Sequence, residues 1–480
     1  PVLHALQVDV LCEHTNDAAK QLDDDESYKI NVQMGDDGSV VAVVTANTVW
    51  GALYGMETMS QLVESGGIVR NVPVTITDSP RFPWRGLLLD TSNHFISVSV
   101  ISKFLDTMAS SKMNVLHWHL VDSYSFPFES QAAPEIARSG AWIYSEKTKV
   151  RDKQVKNPLY TSSDLQRIEE LAKMRGIRVV VEMDMPGHAF SWGLAEQFRD
   201  ITTACPKYTD ELGHIDDVPL DPTLTETYQV ILNLLTELVA IFPDNYFHVG
   251  GDEVKYGCWN ESQSILDWME QNHFAPGDFY SLEQMFFGKI HKMATSELER
   301  KLVAWEEVFF NASGGTDGSH GSWIGSDALP PESTMIESWT GPSYLNTARL
   351  NGYDGILAYG WYLDRQNPVD GEHSWFFGDT WAQMYGVDPE APSSSNEELR
   401  RALGGEASIW TEQADDQNIE SQVWPRAGAV AERLWSPRTI TDAAAAAPRL
   451  SAWRCLMVSR YSIRAGPVWS DYCSAVMVDT

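Results

Sequence analysis

The chain has 480 residues, of which 43% are hydrophobic, with 67 acidic and 35 basic side chains and a formal net charge of −32. This composition provides enough apolar material for a large buried core and argues against long disordered segments. A surface this negative repels phosphate backbones and anionic lipid heads, and no apolar run is long enough to span a bilayer, so we expect neither nucleic acid nor membrane as a partner.

Residues 1–80 predict a small α+β domain. Alternating apolar residues indicate strands, and one stretch has a helical period. The predicted strands cover residues 28–32, 40–45 and 72–77, and the predicted helix covers residues 48–62. Pro80 and Pro83 then interrupt the pattern and mark the boundary with a second domain over residues 81–480.

Beyond that boundary, short runs that are apolar on both faces alternate with helical periods. Such runs are typical of parallel strands joined by helical crossovers, and eight of them predict an α/β fold, the (β/α)8 barrel. The eight runs are 85–90, 114–121, 176–183, 246–250, 302–305, 335–339, 355–359 and 407–410. Helices are predicted over 98–111, 163–175 and 225–241, and the Gly- and Ser-rich stretches 311–327 and 389–397 are predicted to be loops.

In such a barrel the residues that follow the carboxyl ends of the strands form the active site. Nearly every predicted strand here ends in a carboxylate, a histidine or a tryptophan. These strand ends contain Asp90, His119, Asp122, Glu182, His188, His248, Asp252, Glu253, Trp305, Trp339, Asp364, Trp410 and Glu412. An indole face stacks on the C–H face of a pyranose and carboxylates accept its hydroxyls, so the pattern favours a sugar-binding pocket.

The adjacent pair Asp252–Glu253 follows two glycines, which allow a tight turn at the end of the strand. In an ordinary retaining glycosidase two carboxyl groups about 5 Å apart flank the scissile bond, and one of them attacks the sugar. Adjacent residues are poorly placed for that arrangement. They suit a reaction in which the substrate's own 2-acetamido group attacks, one carboxylate orients its N–H, and the other protonates the leaving oxygen.

These motifs resemble those of glycoside hydrolase family 20, the β-N-acetylhexosaminidases, over nearly the whole chain. The matching motifs are R-G-L-L-L-D-T-S, H-W-H-L-V-D, D-M-P-G-H, H-V-G-G-D-E, W-Y-L-D and W-P-R-A-G-A-V-A-E-R-L-W. The resemblance implies an exo-acting enzyme that removes terminal non-reducing β-linked GlcNAc or GalNAc. It also implies a retaining, substrate-assisted mechanism through an oxazolinium-type intermediate, without cofactor or metal.

The resemblance further implies a role for individual residues. Glu253 corresponds to the general acid/base, and Asp252 to the carboxylate that orients the acetamido nitrogen. Tyr362 corresponds to the hydroxyl that binds the acetamido oxygen, and Asp122 with His188 to the dyad that tunes the acid. The other implied substrate contacts are the aromatic walls Trp305, Trp339 and Trp410 and the hydroxyl-binding carboxylates Asp364 and Glu412.

Asn93 departs from the family pattern, because the family usually has an arginine there that holds the 3- and 4-hydroxyls of the terminal sugar. A charge-assisted hydrogen bond contributes roughly 1.5–3 kcal/mol, and a guanidinium makes two of them. We therefore expect substrate binding through Asn93 to be weaker and hydrolysis to be reduced or redirected. Activity is not expected to vanish, since Glu253 is present.

The five cysteines show no C-x-x-C spacing, which argues against a zinc knuckle or a thioredoxin site. The family resemblance implies the disulfides Cys205–Cys258 and Cys455–Cys473. It leaves the partner of Cys12 in an N-terminal piece upstream of Pro1. The sequence also has glycosylation sequons at Asn260 and Asn311, and all these features suit a secreted or lysosomal or vacuolar glycoprotein.

The expected partners are β-linked N-acetylhexosaminides, as in chitooligosaccharides and glycan termini, and a homodimer stays open. Two alternatives to the enzyme also stay open. The first is a non-catalytic protein that binds N-acetylhexosaminides and has lost turnover through Asn93. The second is a metal-dependent barrel hydrolase. Its candidate ligands are His117, His119, His188 and His248.

Overall fold

A computed structural model describes residues 1–11, 19–141, 158–205, 218–310, 321–365, 380–390, 399–469 and Cys473. Its N-terminal part forms a four-stranded sheet, and a closed barrel of eight parallel strands follows. The strands of the N-terminal part are β1 (Leu3–Val10), β2 (Tyr28–Met34), β3 (Val40–Ala46), β4 (Val63–Glu64), β5 (Ile68–Val69) and β6 (Val74–Asp78). The barrel strands are β7 (Trp84–Asp90), β8 (Val115–Val121), β9 (Arg178–Met183), β10 (Tyr246–His248), β11 (Lys301–Trp305), β12 (Thr334–Ser338), β13 (Gly355–Leu357) and β14 (Ala402–Ile409).

The N-terminal sheet has the strand order β1-β3-β2-β6, in which β2 runs antiparallel to β3 and β6. Tyr28, Ile30 and Val32 of β2 are buried in one apolar cluster with residues of the helix α1 (Val49–Leu62). Thr48, the N-cap residue of α1, accepts a hydrogen bond from the backbone N–H of Gly51. The apolar residues that alternate in the sequence of these strands therefore lie on the face of the sheet that the helix covers, and the residues between them lie on the open face.

In the N-terminal part, the sequence analysis does not predict β1 or the two-residue strands β4 and β5. Among the described strands, β1 pairs with β3, in parallel, at the edge of the sheet. Its apolar residues Leu6, Val8 and Val10 are exposed by 38–47%. Because an edge strand with an open face does not need a strong apolar pattern, the pattern here is too weak to identify it.

The barrel order is β10-β11-β12-β13-β14-β7-β8-β9, and each of the eight predicted runs overlaps one of these strands. The largest difference is at β14, which begins at Ala402, five residues before the predicted run. Gly404 and Gly405 interrupt the apolar pattern at that point. Both lie against neighbouring strands: a Cβ on Gly404, where φ is +130°, would lie 2.0 Å from the carbonyl oxygen of Trp84.

Helices surround the barrel, and the three predicted there begin and end within two residues of those observed. They are α2 (Val98–Ser110), α4 (Ser162–Lys173) and α5 (Thr225–Ile241). The other helices are α3 (Pro134–Gly140), α6 (Tyr256–Glu261), α7 (Gln263–Gln271), α8 (Phe279–Lys292), α9 (Pro342–Leu350), α10 (Trp381–Gly386), α11 (Ile419–Val423), α12 (Arg426–Trp435) and α13 (Ala443–Tyr461). Among the described residues, no helix combines the length and the apolar character that a membrane crossing requires.

A buried ion pair joins the N-terminal segment to the first barrel strand. The guanidinium of Arg85, on β7, donates to both carboxylate oxygens of Glu26 at 2.8 and 2.9 Å. Lys20 lies 3.0 Å from the same carboxylate, and the side-chain amide of Asn114 donates to it at 3.0 Å. Burial by itself would raise the pKa of Glu26, but Arg85 and Lys20 lower that pKa to about 2. Glu26 is therefore ionised at neutral pH.

We expect Glu26→Gln to destabilise the fold by about 3–5 kcal/mol at pH 7, because Arg85 and Lys20 would stay buried without their carboxylate. The folded pKa of Glu26 lies below its unfolded value, so its contribution is present above the unfolded pKa and is lost as pH falls toward 2. The measurement is the urea midpoint of unfolding from pH 7 to pH 2.5. The difference between wild type and variant should shrink as the pH falls.

Glu64→Gln is the matched control. It removes the carboxylate of an exposed ion pair with Arg70, in which the two side chains are 46% and 69% exposed. Its midpoint should equal that of the wild type. Equal midpoints for both variants at pH 7 would contradict the role given to Glu26.

Candidate active site

The carboxyl ends of the barrel strands surround one pocket of about 330 Å³. Each of the eight strands or the loop after it contributes to the lining. The lining residues are Asn93, Asp122, Tyr124, Asp184, His188, Asp252, Glu253, Trp305, Trp339, Tyr362, Asp364, Arg365, Trp410 and Glu412. All eleven residues predicted to act in catalysis or substrate binding are among them, so the structure brings the whole predicted set together.

A wider depression lies elsewhere, between β1, α1 and α4. It is lined mainly by apolar side chains, among them Val8, Val10, Trp50 and Met174. It has no cluster of titratable groups comparable to that of the first pocket. The candidate for chemistry is therefore the pocket at the strand ends.

The backbone after β10 makes the turn that the two glycines predict. Gly250 and Gly251 have φ angles of +67° and +102°, and Glu253 also has a positive φ, of +50°. A Cβ on Gly250 would lie 1.8 Å from a carboxylate oxygen of Asp184, and the N–H of Gly251 donates to that oxygen at 3.2 Å. Glycine at these positions therefore lets the turn pack against Asp184 while Asp252 and Glu253 both reach the pocket.

The two carboxyl groups of this turn lie in different environments. The side chain of Asp252 is 15% exposed and that of Glu253 is 50% exposed. Burial raises the pKa of Asp252 to about 6. The nearby cation of His188, 3.6 Å away, lowers the pKa of Glu253 below its usual value. Two adjacent carboxyl groups thus have pKa values that are pushed apart, as is common for groups that divide acid–base work.

His188 stands between this pair and Asp122. Its Nε2 lies 3.6 Å from Glu253 and 3.8 Å from Asp252, while its Nδ1 lies 3.3 Å from Asp122. Burial would lower the pKa of His188, but the surrounding carboxylates, Asp122 first, raise that pKa well above its ordinary value. His188 is therefore a cation held next to the exposed carboxylate of Glu253.

Three tryptophans form the aromatic lining, and hydrogen bonds fix two of them. The Nε1 of Trp305 donates to Glu182 at 2.9 Å, and the Nε1 of Trp339 donates to Glu307 at 2.8 Å. Trp410 contacts the ring of His119 at 4.8 Å between ring centroids. Since the indole N–H groups are held by acceptors behind the pocket, the flat faces stay available to a ligand.

Tyr362, Asp364 and Glu412 occupy another part of the lining. Tyr362 is 8% exposed, and the guanidinium of Arg365 lies 4.6 Å from the centre of its ring. Burial raises the pKa of Asp364 to about 6. Burial, together with the negative charge of Asp90, raises the pKa of Glu412 to about 8. Glu412 is therefore mostly protonated at neutral pH, while Asp364 gains its proton only in mildly acidic solution.

Asn93 is held by the strand end from which it comes. Its Nδ2 donates to Asp90 at 2.8 Å, and its backbone N–H donates to the same carboxylate at 3.2 Å. The backbone N–H and the hydroxyl of Thr411 also donate to Asp90, at 2.8 and 2.7 Å. Asn93 thus supplies no positive charge, and among the lining residues the basic ones are His188 and Arg365.

The histidines of the metal-hydrolase alternative are not grouped around the pocket. His117, His119 and His248 are fully buried, and only His188 is part of the lining. A catalytic metal needs an open position toward the substrate. A metal held by His117 and His248 with Glu182 would lie beneath the pocket floor, so the buried histidines do not form the open site that the alternative predicts.

Sequence reasoning missed some residues that shape this site. Tyr124 and Asp184 line the pocket without a predicted role. Glu307 and Glu182 hold the indoles of the tryptophan walls from behind. Three of these four residues, Asp184, Glu182 and Glu307, stand at or next to a predicted strand end, and that position could have identified them. The tryptophans that Glu182 and Glu307 hold come from other strands.

Cysteine positions agree with the implied pairing. Disulfides join Cys205 to Cys258 and Cys455 to Cys473, each with Cα atoms 5.1 Å apart. The sequon residue Asn260 is exposed at the end of α6, where a glycan would have room. Two further predictions, those on Cys12 and Asn311, lie outside the described residues.

Comparison with known proteins matches the chain to one family. Residues 82–438 match the family described as glycosyl hydrolase family 20, catalytic domain, and residues 2–62 match the one described as beta-acetyl hexosaminidase like. The chain is 38% identical to beta-hexosaminidase subunit beta of Mus musculus over 479 residues, which cover 99% of this chain and 80% of that protein. It is 36% identical to the subunit beta of Homo sapiens, with 98% and 77% covered.

A solved structure has the same fold. The chitobiase of Flavobacterium johnsoniae superposes with a TM-score of 0.74 at 29% identity. The match covers 95% of this chain and 63% of the chitobiase, so this chain spans a little under two thirds of the length of that protein.

Proposed function

The chain belongs to glycoside hydrolase family 20 and is an exo-acting β-N-acetylhexosaminidase, and on that premise we propose how the residues of its pocket divide the reaction. The mechanism of the family is substrate-assisted, with the 2-acetamido group of the substrate as the nucleophile. The observation that carries the proposal is the pair Asp252–Glu253. Its carboxyl groups differ in exposure and in proton affinity, and both line the pocket.

Glu253 is the general acid and later the general base. It is the more exposed of the two carboxyl groups, so it can reach the glycosidic oxygen of a sugar that lies deeper in the pocket. In the empty pocket the proton of the pair lies on Asp252, whose pKa is the higher, and it passes to Glu253 when the substrate N–H favours the ionised form of Asp252. Glu253 then gives this proton to the departing alcohol while the acetamido oxygen bonds to the anomeric carbon. In the second half-reaction it accepts a proton from the water that opens the oxazolinium, which restores the β configuration.

Asp252 is the carboxylate that holds the acetamido N–H and stabilises the positive charge of the oxazolinium. It must be ionised for this role, although burial raises its pKa to about 6 in the empty pocket. An N–H donor from the substrate favours the ionised form. Substrate binding and ionisation of Asp252 therefore support each other.

The rest of the lining binds and orients the terminal sugar. Trp305, Trp339 and Trp410 surround the acetamido group and the ring, and the Tyr362 hydroxyl donates to the acetamido oxygen. The carboxyl groups of Asp364 and Glu412 accept or donate hydrogen bonds at the ring hydroxyls. Asn93 replaces a guanidinium in this part of the pocket, so substrate binding there lacks a charge-assisted donor.

We further propose that the protein works in a secretory-route compartment, secreted or lysosomal or vacuolar. Two disulfides, which form in oxidising compartments, support this location. The division into domains at residues 1–80 and 81–480 and a homodimeric assembly stay predictions.

The role of Glu253 predicts that Glu253→Gln lowers kcat on β-N-acetylglucosaminides by about 10²–10⁴-fold, because proton transfer to the leaving oxygen is lost. The loss should be smaller for 4-nitrophenolate, which leaves without much protonation, than for an alkyl aglycone. Steady-state rates on both substrates measure this difference. Glu270→Gln makes the same change on an exposed carboxylate of α7 and should keep the wild-type rate. Equal losses on both substrates would contradict the acid role.

The two pKa values predict a bell-shaped dependence of kcat/KM on pH with its maximum below pH 6. The active form has one proton on the pair, so it predominates between the lowered pKa of Glu253 and the pKa of about 6 at Asp252. Activity falls above this range because that proton leaves, and below it because the second carboxylate is protonated. Initial rates on 4-nitrophenyl N-acetyl-β-glucosaminide from pH 3 to pH 8 measure the profile. A maximum above pH 7 would contradict it.

The structure around Asn93 predicts that Asn93→Arg raises kcat/KM by on the order of 10²-fold, through charge-assisted hydrogen bonds to the ring hydroxyls. Asn93→Gln adds length without charge and should give no comparable gain. No gain with arginine would show that this pocket is adapted to a different substrate. Absence of turnover in wild type and variant alike would favour the non-catalytic binding protein.

A further inference from the structure

Beneath the pocket, the barrel interior contains a cluster of histidines and carboxylates that the proposed reaction does not use. It is formed by side chains from β8, β9, β10, β12 and β14, all of which are fully buried. Its members are His117, His119, Glu182, His248, Glu337 and Glu406. Buried charge of this kind is costly, so its arrangement calls for a physical explanation.

His119 connects this cluster to the pocket. Its Nδ1 lies 2.6 Å from an oxygen of Glu182, and its Nε2 lies 3.0 Å from an oxygen of Asp122. Each ring nitrogen thus faces a carboxylate, and both can donate only when the imidazole is protonated. Burial would lower the pKa of His119, but Glu182 and Asp122 raise that pKa well above its ordinary value. His119 is therefore an imidazolium below the pocket floor.

The charges alternate from the pocket downward. Asp122 lies between His188 above and His119 below, and its pKa is held far below the usual range. Under His119, the carboxylate of Glu182 also lies 3.0 Å from the Nε2 of His117. His117 in turn lies 2.7 Å from Glu406 through its Nδ1. Each of these imidazolium cations lies between two carboxylates. Removing one cation therefore changes the electric field at the carboxylates next to it.

At the level of the pocket, the titratable groups near Asp252 are Glu253 and His188, which are described above, and Asp184 and Glu307, which are neutral. Glu253 follows it in the chain, and the cation of His188 lies 3.8 Å away. Asp184, after β9, and Glu307, after β11, also interact with it. Burial raises the pKa of both well above the usual value, so that both hold protons.

From below, two charges of opposite sign act on Asp252. The carboxylate of Glu182 raises the pKa of Asp252, and the imidazolium of His119 lowers it. The same imidazolium lowers the pKa of Asp184. It also lies next to Asp122, whose negative charge raises the pKa of Glu253. Removing the charge of His119 would therefore favour protonation throughout the catalytic pair.

We propose that His119 is a positioning residue that holds a positive charge beneath Asp252 and Glu253 and so sets the pH range in which they act. The inference rests on the proposed function, because it assumes that these two carboxyl groups do the chemistry. His119 does not line the pocket. Its effect passes through Asp122 and Glu182 and through the electric field at the pocket floor.

The test is the pH profile of kcat/KM for His119→Gln and His119→Asn on 4-nitrophenyl N-acetyl-β-glucosaminide. The glutamine amide can replace the Nε2 contact with Asp122, and the asparagine amide can replace the Nδ1 contact with Glu182, but neither carries charge. We expect both limbs of the bell to move to higher pH by on the order of 0.5–1 unit in both variants. The sign does not depend on which carboxyl group governs which limb.

His248→Gln is the matched control. His248 is equally buried, packs against His117 and Trp305 as His119 packs against Trp410, and belongs to the same cluster. Its Nδ1 accepts the N–H of Gly250 and lies 3.0 Å from Glu182, and burial lowers its pKa, whereas the pKa of His119 is raised. The substitution therefore disturbs the packing and the contact with Glu182 without removing a raised-pKa imidazole, and the bell should move less than in the His119 variants.

Several outcomes overturn the proposal. An unshifted bell in both His119 variants would do so, as would an equal shift in His248→Gln, since packing would then explain it. A shift in one His119 variant alone would assign the effect to one contact and not to the charge. Thermal unfolding and tryptophan fluorescence establish that each variant is folded. If one His119 variant does not fold, a larger shift in the other than in His248→Gln supports the proposal, and an unshifted bell overturns it.

Failure of this inference differs from failure of the proposed function. If Asp252→Asn and Glu253→Gln are inactive and the His119 variants keep the wild-type profile, the inference alone is wrong. If Asp252→Asn and Glu253→Gln keep the wild-type rate, the catalytic pair is wrong and the inference falls with it. The same assay on the same substrate separates the two results.

Discussion

Compensation of buried charge along the barrel axis is the constraint on which the rest of this structure depends. A carboxylate enclosed in a barrel is costly unless cations and donors surround it, and Glu182 has both. His119 lies 2.6 Å from one oxygen, and the indole N–H of Trp305 donates to the other. Since Trp305 is also a wall of the pocket, the contacts that neutralise the core also determine the shape of the site above it.

The same constraint acts inside the pocket, with a different result. Where a guanidinium would balance the acidic side chains, this chain has Asn93, which is bound to Asp90. Burial raises the pKa of Asp364 to about 6 and, with the charge of Asp90, raises that of Glu412 to about 8, so Glu412 is mostly protonated at neutral pH. A neutral carboxyl group can donate as well as accept, so Glu412 can offer the sugar hydroxyls an uncharged donor.

Much of the fold follows from periodicity in the sequence. Eight apolar runs correspond to the eight strands of the barrel, because strands covered on both faces need apolar residues at nearly every position. The pattern was less informative at β1, an edge strand with an open face, and at the start of β14. There Gly404 and Gly405 serve close packing against neighbouring strands and not hydrophobic burial.

Residue identity and chain order by themselves determined the barrel, the strand ends and the family, and with them which side chains meet in the pocket. A barrel collects its strand ends at one face regardless of the details of packing. Only the tertiary structure decided which groups are charged. Asp252 and Glu253 are neighbours in sequence, yet one has a raised pKa and the other a lowered one. The physical reason is that burial and the charges of other strands set proton affinity, and these depend on distances that no single segment of the sequence contains.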